Sequence, residues 1–286
     1  MTGLDPRTHP FRDDIAAETL RDTVSAERYV SATRKRVVPG SAPLRRAPRD
    51  TAPLDTELLS GELVDVYEDK DGWSWLQAVT DDYVGYARSA FLGAPVGPPT
   101  HILAALRSYV FPIPDLKVPP IDMLSMNSAL NVCGQDGAYS ELTGGGWVYS
   151  RHLAPVGDFE PDHTATASRF LGTPYLWGGK TSIGLDCSGL IQLSLARCGL
   201  AVPRDTDMQE TAIGEPVAFN GDEAVLERGD LVYWPGHIGI WIDPGRFVHA
   251  NATDMMVAIA PLHEVAAHIE KATGDKVRTV RRPVLA

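Results

Sequence analysis

The stretch Gly172–Gly189, GTPYLWGGKTSIGLDCSG, constrains this chain more than any other. It passes from an apolar approach through glycine turns into Asp186-Cys187-Ser188-Gly189. LIQLSLARCGL follows, with Leu190, Ile191, Leu195 and Cys198 at helical spacing and Gly199 as a stop signal. The pattern predicts a helix with Cys187 in its first turn. A helix N-terminus presents unpaired amide N–H groups and partial positive charge, which favours thiolate over thiol. Downstream, His237 in PGHIGIWID and His249 in RFVHANA lie in short apolar runs of β character. A cysteine at a helix start facing histidines on neighbouring strands is the arrangement of a thiol nucleophile with an imidazole base. A lone cysteine is more often an inert buried hydrophobe. Cys198 and Cys133 are read that way, as core residues.

The whole sequence has 286 residues, 44% hydrophobic and 22% charged, enough for two or three small domains. Its 26 Lys and Arg against 37 Asp and Glu give a net charge of −11, which argues against a nucleic-acid partner. Only three cysteines occur, an odd and sparse count that fits a reducing compartment. Cys187 and Cys198 cannot pair on one helix: eleven residues rise about 16 Å, against a limit of roughly 7 Å between Cα atoms. The first thirty residues hold no apolar run of signal-peptide length, and nothing approaches a membrane span. The expectation is a cytoplasmic chain with no membrane partner; the oligomeric state is not legible.

Residues 1–30 read as a polar arm ending in a short helix, AAETLRDTV. From residue 31 to 96, short β-type runs alternate with Pro, Gly and Asp turns, and DKDG supplies a hairpin. Such runs predict a small barrel. Residues 97–156 repeat that logic: strand, glycine turn, aromatic strand, then RHLAP against the earlier RSAFLGAPV. Residues 157–286 hold the Cys187 helix, a loop-rich stretch, several strands, a late helix and a last strand, VRTVRRPV. The expected fold class is α+β: two small all-β barrels, then a catalytic domain with the cysteine helix packed on an antiparallel sheet.

LDCSGL, PRDTDMQ, GDLVYWPGHIGIWID and FVHAN, in that order, resemble the NlpC/p60 family of papain-like cell-wall peptidases. GELVDVYE, GWSWLQAV and DYVGYA resemble a bacterial SH3-like domain. The resemblance implies Cys187 as nucleophile, His237 as general base and His249 as the residue that orients it. Asn251, on the same strand face, is the alternative for that last role. It further implies Tyr175 near the oxyanion, and Trp177, Asp186 and Ser188 against the substrate. Asp186 suits a substrate ammonium, and equally a helix N-cap. Arg204-Asp205 are read as loop-structuring. In the γ-D-glutamyl branch, a Glu and a Tyr of the first barrel close over the substrate's free N-terminus; the matching positions are Glu62 and Tyr83, with Tyr86 a rival.

The function implied is a γ-D-glutamyl-diamino acid endopeptidase acting on murein tri- or tetrapeptides with a free N-terminal L-Ala, in wall recycling, without metal or organic cofactor. Two rivals stand: an amidase or acyltransferase on the same scaffold, and a non-enzymatic wall-binding protein. A Cys/His/His zinc site is remote, because the two strand-borne histidines lack compact ligand spacing.

Overall fold

The computed structural model describes residues 3–285; the first two residues of the predicted arm and the final residue of the predicted catalytic domain lie outside them. The chain divides into two compact units, parting between Val156 and Gly157. Among the described residues no helix is long and apolar enough to cross a membrane.

In the first unit, Leu63–Lys70 and Trp73–Ala78 form a hairpin. Asp71 and Gly72 at its tip have positive φ (52° and 78°), the conformation that a tight two-residue turn demands. Val64, Val66, Leu76 and Ala78 alternate inward and meet Val37, Leu44, Leu58, Tyr83 and Ala87. The hairpin belongs to a seven-stranded sheet with 33–37, 41–45, 54–59, 84–88 and 92–93. The strands of residues 97–156 form a five-stranded and a three-stranded sheet around Leu103, Val110, Leu124, Leu130 and Val148. Both regions close alike, with a 3-10 turn (Ser89–Phe91, Ser150–His152) leading into a short strand. Cys133, expected in this core, is exposed on the strand Val132–Asp136.

The N-terminal arm is partly buried and keeps only a vestige of its predicted helix. Ile15, Ala16 and Ala17 are buried, Ala16–Ala17 pairs in parallel with Tyr29–Val30, and the helix shrinks to one 3-10 turn, Glu18–Leu20. Ala16, Leu20 and Val24 do lie at helical spacing, but so short a piece does not repay nucleation, and Ala16–Ala17 pairs as a strand instead. The arm docks on the seven-stranded sheet. Val84 N–H donates to the Arg7 carbonyl (2.8 Å), and the Arg12 guanidinium lies 4.5 Å from the centre of the Trp75 ring.

The second unit is an antiparallel six-stranded sheet in the order 215–217, 279–282, 231–234, 237–243, 246–251, 256–260. Pro235-Gly236, with Gly236 at φ 73°, turns Leu231–Trp234 into His237–Asp243. Residues alternate between two faces. Trp241 and Phe247 pack with Leu262 and Val265 of the helix Leu262–Thr273. The helix Cys187–Arg197 packs against the 237–243 and 246–251 strands. It is buried nearly all round, including Gln192 and Arg197, so it is a central element rather than a surface helix with one apolar stripe.

Candidate active site

The segment before the nucleophile is tied down at both ends. Gly172 N–H donates to the Val257 carbonyl and Tyr175 N–H to that of Met255 (2.9 Å each), extending the sheet edge. Leu176 N–H then donates to the Leu185 carbonyl at 3.0 Å, which brings Tyr175 beside the turn that delivers Cys187. Asp186 caps the helix, its Oδ1 accepting from Gly189 N–H at 2.8 Å. Gly189 is required here: a Cβ would stand 2.4 Å from the Gly179 carbonyl oxygen.

Asp186 is not available to a substrate ammonium. Its carboxylate takes Arg204 on both oxygens, Nη1 at 3.0 Å and Nη2 at 2.7 Å, and accepts from Gly178 N–H at 2.9 Å. The pair is deeply buried, with Arg204 1% exposed. Ser188, also expected to face substrate, is buried and internally bonded: its hydroxyl accepts from Arg204 Nη1 at 2.7 Å and donates to Asp186 at 3.2 Å. The PRDTDMQ block thus anchors the nucleophile's turn, with Gln209 Nε2 donating to the Ser188 carbonyl at 3.1 Å. Trp177 is exposed, at 68%.

Cys187 opens the helix, with Sγ 3.9 Å from the Gly236 carbonyl oxygen and 3.9 Å from Thr206 Oγ1. Thr206 carried no signal beyond its place in PRDTDMQ. The contact with Gly236 sets the sulfur against the residue preceding His237. His237 Nε2 lies 2.9 Å from His249 Nδ1, leaving its Nδ1 for the reacting atoms. His249 and Asn251 act in series rather than as alternatives: Asn251 Nδ2 lies 3.3 Å from His249 Nε2. Asp254 holds Asn251 in turn, its N–H donating to Oδ1 (2.7 Å) and its carboxylate accepting from Nδ2 (3.1 Å). Gly239 makes room, because a Cβ there would lie 2.4 Å from the Phe247 ring and 2.8 Å from His249 Cβ.

Burial governs the protons. It pushes the Cys187 thiol up to about 11, with Asp186 adding to the shift. It pushes His237 down to about 3, helped by its neighbour His249, and His249 down to about 4. Tyr175 is also raised, first by burial and then by Cys187. These shifts favour a neutral thiol and neutral imidazoles, against the pull of the helix terminus toward thiolate. Desolvation of a buried sulfur outweighs the partial charge of one helix end.

Residues 172–273 match the model of the NlpC/P60 family. The match marks an NlpC/P60 domain within the second unit. Residues 44–92 match the bacterial dipeptidyl-peptidase SH3 domain. The chain is 30% identical over 121 residues to dipeptidyl-peptidase 6 of Lysinibacillus sphaericus, covering 41% of this chain and 43% of that protein. It is 29% identical over 155 residues to the gamma-D-glutamyl-L-lysine dipeptidyl-peptidase of Bacillus subtilis, 49% of this chain and 51% of that one. The chain thus spans about half or less of the length of these curated relatives. In fold it is similar to the crystal structure of an NlpC/P60 family protein from Bacillus cereus, with a TM-score of 0.75 at 21% identity over 88% of this chain and 99% of that one.

In the first unit, Glu62 is half-buried just before the 63–70 strand, its N–H donating to the Leu59 carbonyl at 3.1 Å. Tyr83, expected to face substrate, is a core residue, 4% exposed. Its rival Tyr86 accepts at its hydroxyl from Arg12 Nη1 at 2.7 Å.

Proposed function

We propose that this chain is a cysteine endopeptidase that hydrolyses the γ-D-glutamyl–diamino acid bond of murein-derived peptides with a free N-terminal L-Ala, in turnover of released wall peptides. One observation carries the chemistry: the 2.9 Å contact between His237 and His249, with the Cys187 sulfur against Gly236. The relatives' names supply the substrate class. Residues 97–156 are read as a second SH3-like domain, because their closing turn and strand repeat those of the first.

From a neutral resting pair, the thiol proton passes to His237 Nδ1 as sulfur attacks the γ-carbonyl carbon. The oxyanion is met by the Cys187 N–H and the Tyr175 hydroxyl. Collapse breaks the C–N bond, and His237 returns its proton to the departing amine, leaving a thioester. Water, deprotonated by His237, then releases the γ-D-glutamyl acid and restores the thiol. His249 orients the base through its Nε2.

The test is mass spectrometry of a murein-peptide mixture before and after incubation. The expected products are L-Ala-γ-D-Glu and a diamino-acid fragment, and Cys187→Ala abolishes them while retaining the wild-type melting curve. Full hydrolysis by that variant, or transfer to an added amine in place of hydrolysis, would remove this assignment.

A further inference from the structure

His237 and His249 also line a cavity of about 310 Å³ within the second unit. Its floor is apolar, built from Ala260, Val265 and Ile269, where the helix Leu262–Thr273 meets the sheet. Its remaining wall carries the carboxylates of Glu264, Asp275 and Asp254, and no lysine or arginine lines it. Among the described residues, neither Glu264 nor Asp275 is ion-paired.

The cavity's position follows from the chemistry. The group that protonates the departing amine must sit beside the leaving residue. His237 is that group, and it forms part of the cavity wall, so the leaving residue's side chain lies at the cavity mouth. An aliphatic stem ending in an ammonium fits an apolar floor with a negative wall: the methylenes cover the floor and the charge meets the carboxylates.

We infer that this cavity binds the side-chain ammonium of the diamino acid on the leaving side of the scissile bond, with Glu264 and Asp275 as its counter-charges. This assignment rests on the peptidase reading above. Glu264→Gln and Asp275→Asn keep size and remove charge. The assay uses L-Ala-γ-D-Glu peptides ending in lysine, diaminopimelate or norleucine, the last lacking the ammonium.

The wild-type enzyme is expected to prefer lysine or diaminopimelate over norleucine by about tenfold or more in kcat/KM. The faster of the two identifies the amino acid that supplies the ammonium. The double variant, confirmed folded by its melting curve, is expected to lose most of that preference. Equal kcat/KM for all three substrates, or an unchanged preference in the double variant, overturns the cavity assignment and leaves the peptidase reading standing. Turnover of none of the three sinks the peptidase reading and this assignment with it.

Discussion

In the resting site Asp254 sets the amide of Asn251, because a backbone N–H can only donate and must face Oδ1. Nδ2 therefore faces His249 and also can only donate. His249 accepts on Nε2, carries its proton on Nδ1 and gives it to His237 Nε2. His237 then holds its own proton on Nδ1, the side of the thiol. This order agrees with the neutral resting pair. To accept the thiol proton, Nδ1 of His237 must be empty, so before attack each imidazole must carry its one ring proton on Nε2, with the Asn251 oxygen turned to accept from His249. His249→Ala is accordingly expected to lose about 100-fold or more in kcat, and Asn251→Ala far less. The reverse order in kcat would make Asn251 the orienting residue. A pH profile gives an independent check. Because His237 and His249 are depressed to about 3 and about 4, their neutral forms persist as pH falls from 7 to 5. An acid limb in kcat/KM is expected only below that range, whereas a solvated imidazole would give one near about 6.5. The sign for stability is separate. Unfolded histidines take up protons below about 6.5 and the folded ones do not, so folding free energy is full above that pH and declines as pH falls toward the folded values.

The nucleophile helix shows which parts of an element a sequence can reveal. Its position, its Cys187 start and its Gly199 stop follow from apolar spacing and turn chemistry, which are local. The role of Asp186 does not. An Asp before a helix reads equally as a cap or a ligand group, and the decision lies with Arg204, eighteen positions away. Arg204 looked like a loop residue because nothing local marks it as buried. The strands around His237 and His249 were legible for the same local reason, whereas the arm was misread because its burial depends on a sheet formed later in the chain. The ion pair makes a sharp prediction. Removing one partner of a buried pair leaves the other charge uncompensated, at a cost of about 3–5 kcal/mol. Arg204→Met is expected to lower the melting temperature by several degrees and to reduce kcat, since it loosens the turn that presents Cys187. An unchanged melting temperature would mean that the helix start is held by its cap alone.

At the scale of the whole molecule, the question is what the first unit contributes to substrate choice. The short strands and hairpin of the first unit were readable from spacing and turn residues, and the SH3-like match of residues 44–92 from the resemblance of GELVDVYE, GWSWLQAV and DYVGYA. The residues assigned there were not equally readable: Tyr83 looks like any half-exposed strand tyrosine until its neighbours fill the core around it. With Asp186 committed to Arg204 and Tyr83 buried, Glu62 is the remaining acid among those assigned to the substrate's free amine. The peptidase reading predicts that L-Ala-γ-D-Glu-diamino acid is cut and its N-acetyl form is not. Acetylation removes the ammonium and adds bulk. Discrimination is therefore expected to be on the order of 100-fold in kcat/KM. Glu62→Gln should erase most of it by slowing the free-amine substrate while leaving the slow N-acetyl rate near its starting value. Paired assays of both peptides with both proteins decide the point. Equal rates on the two peptides in the wild-type protein would show an enzyme indifferent to the N-terminus. Undiminished discrimination in Glu62→Gln would move the counter-charge to another residue.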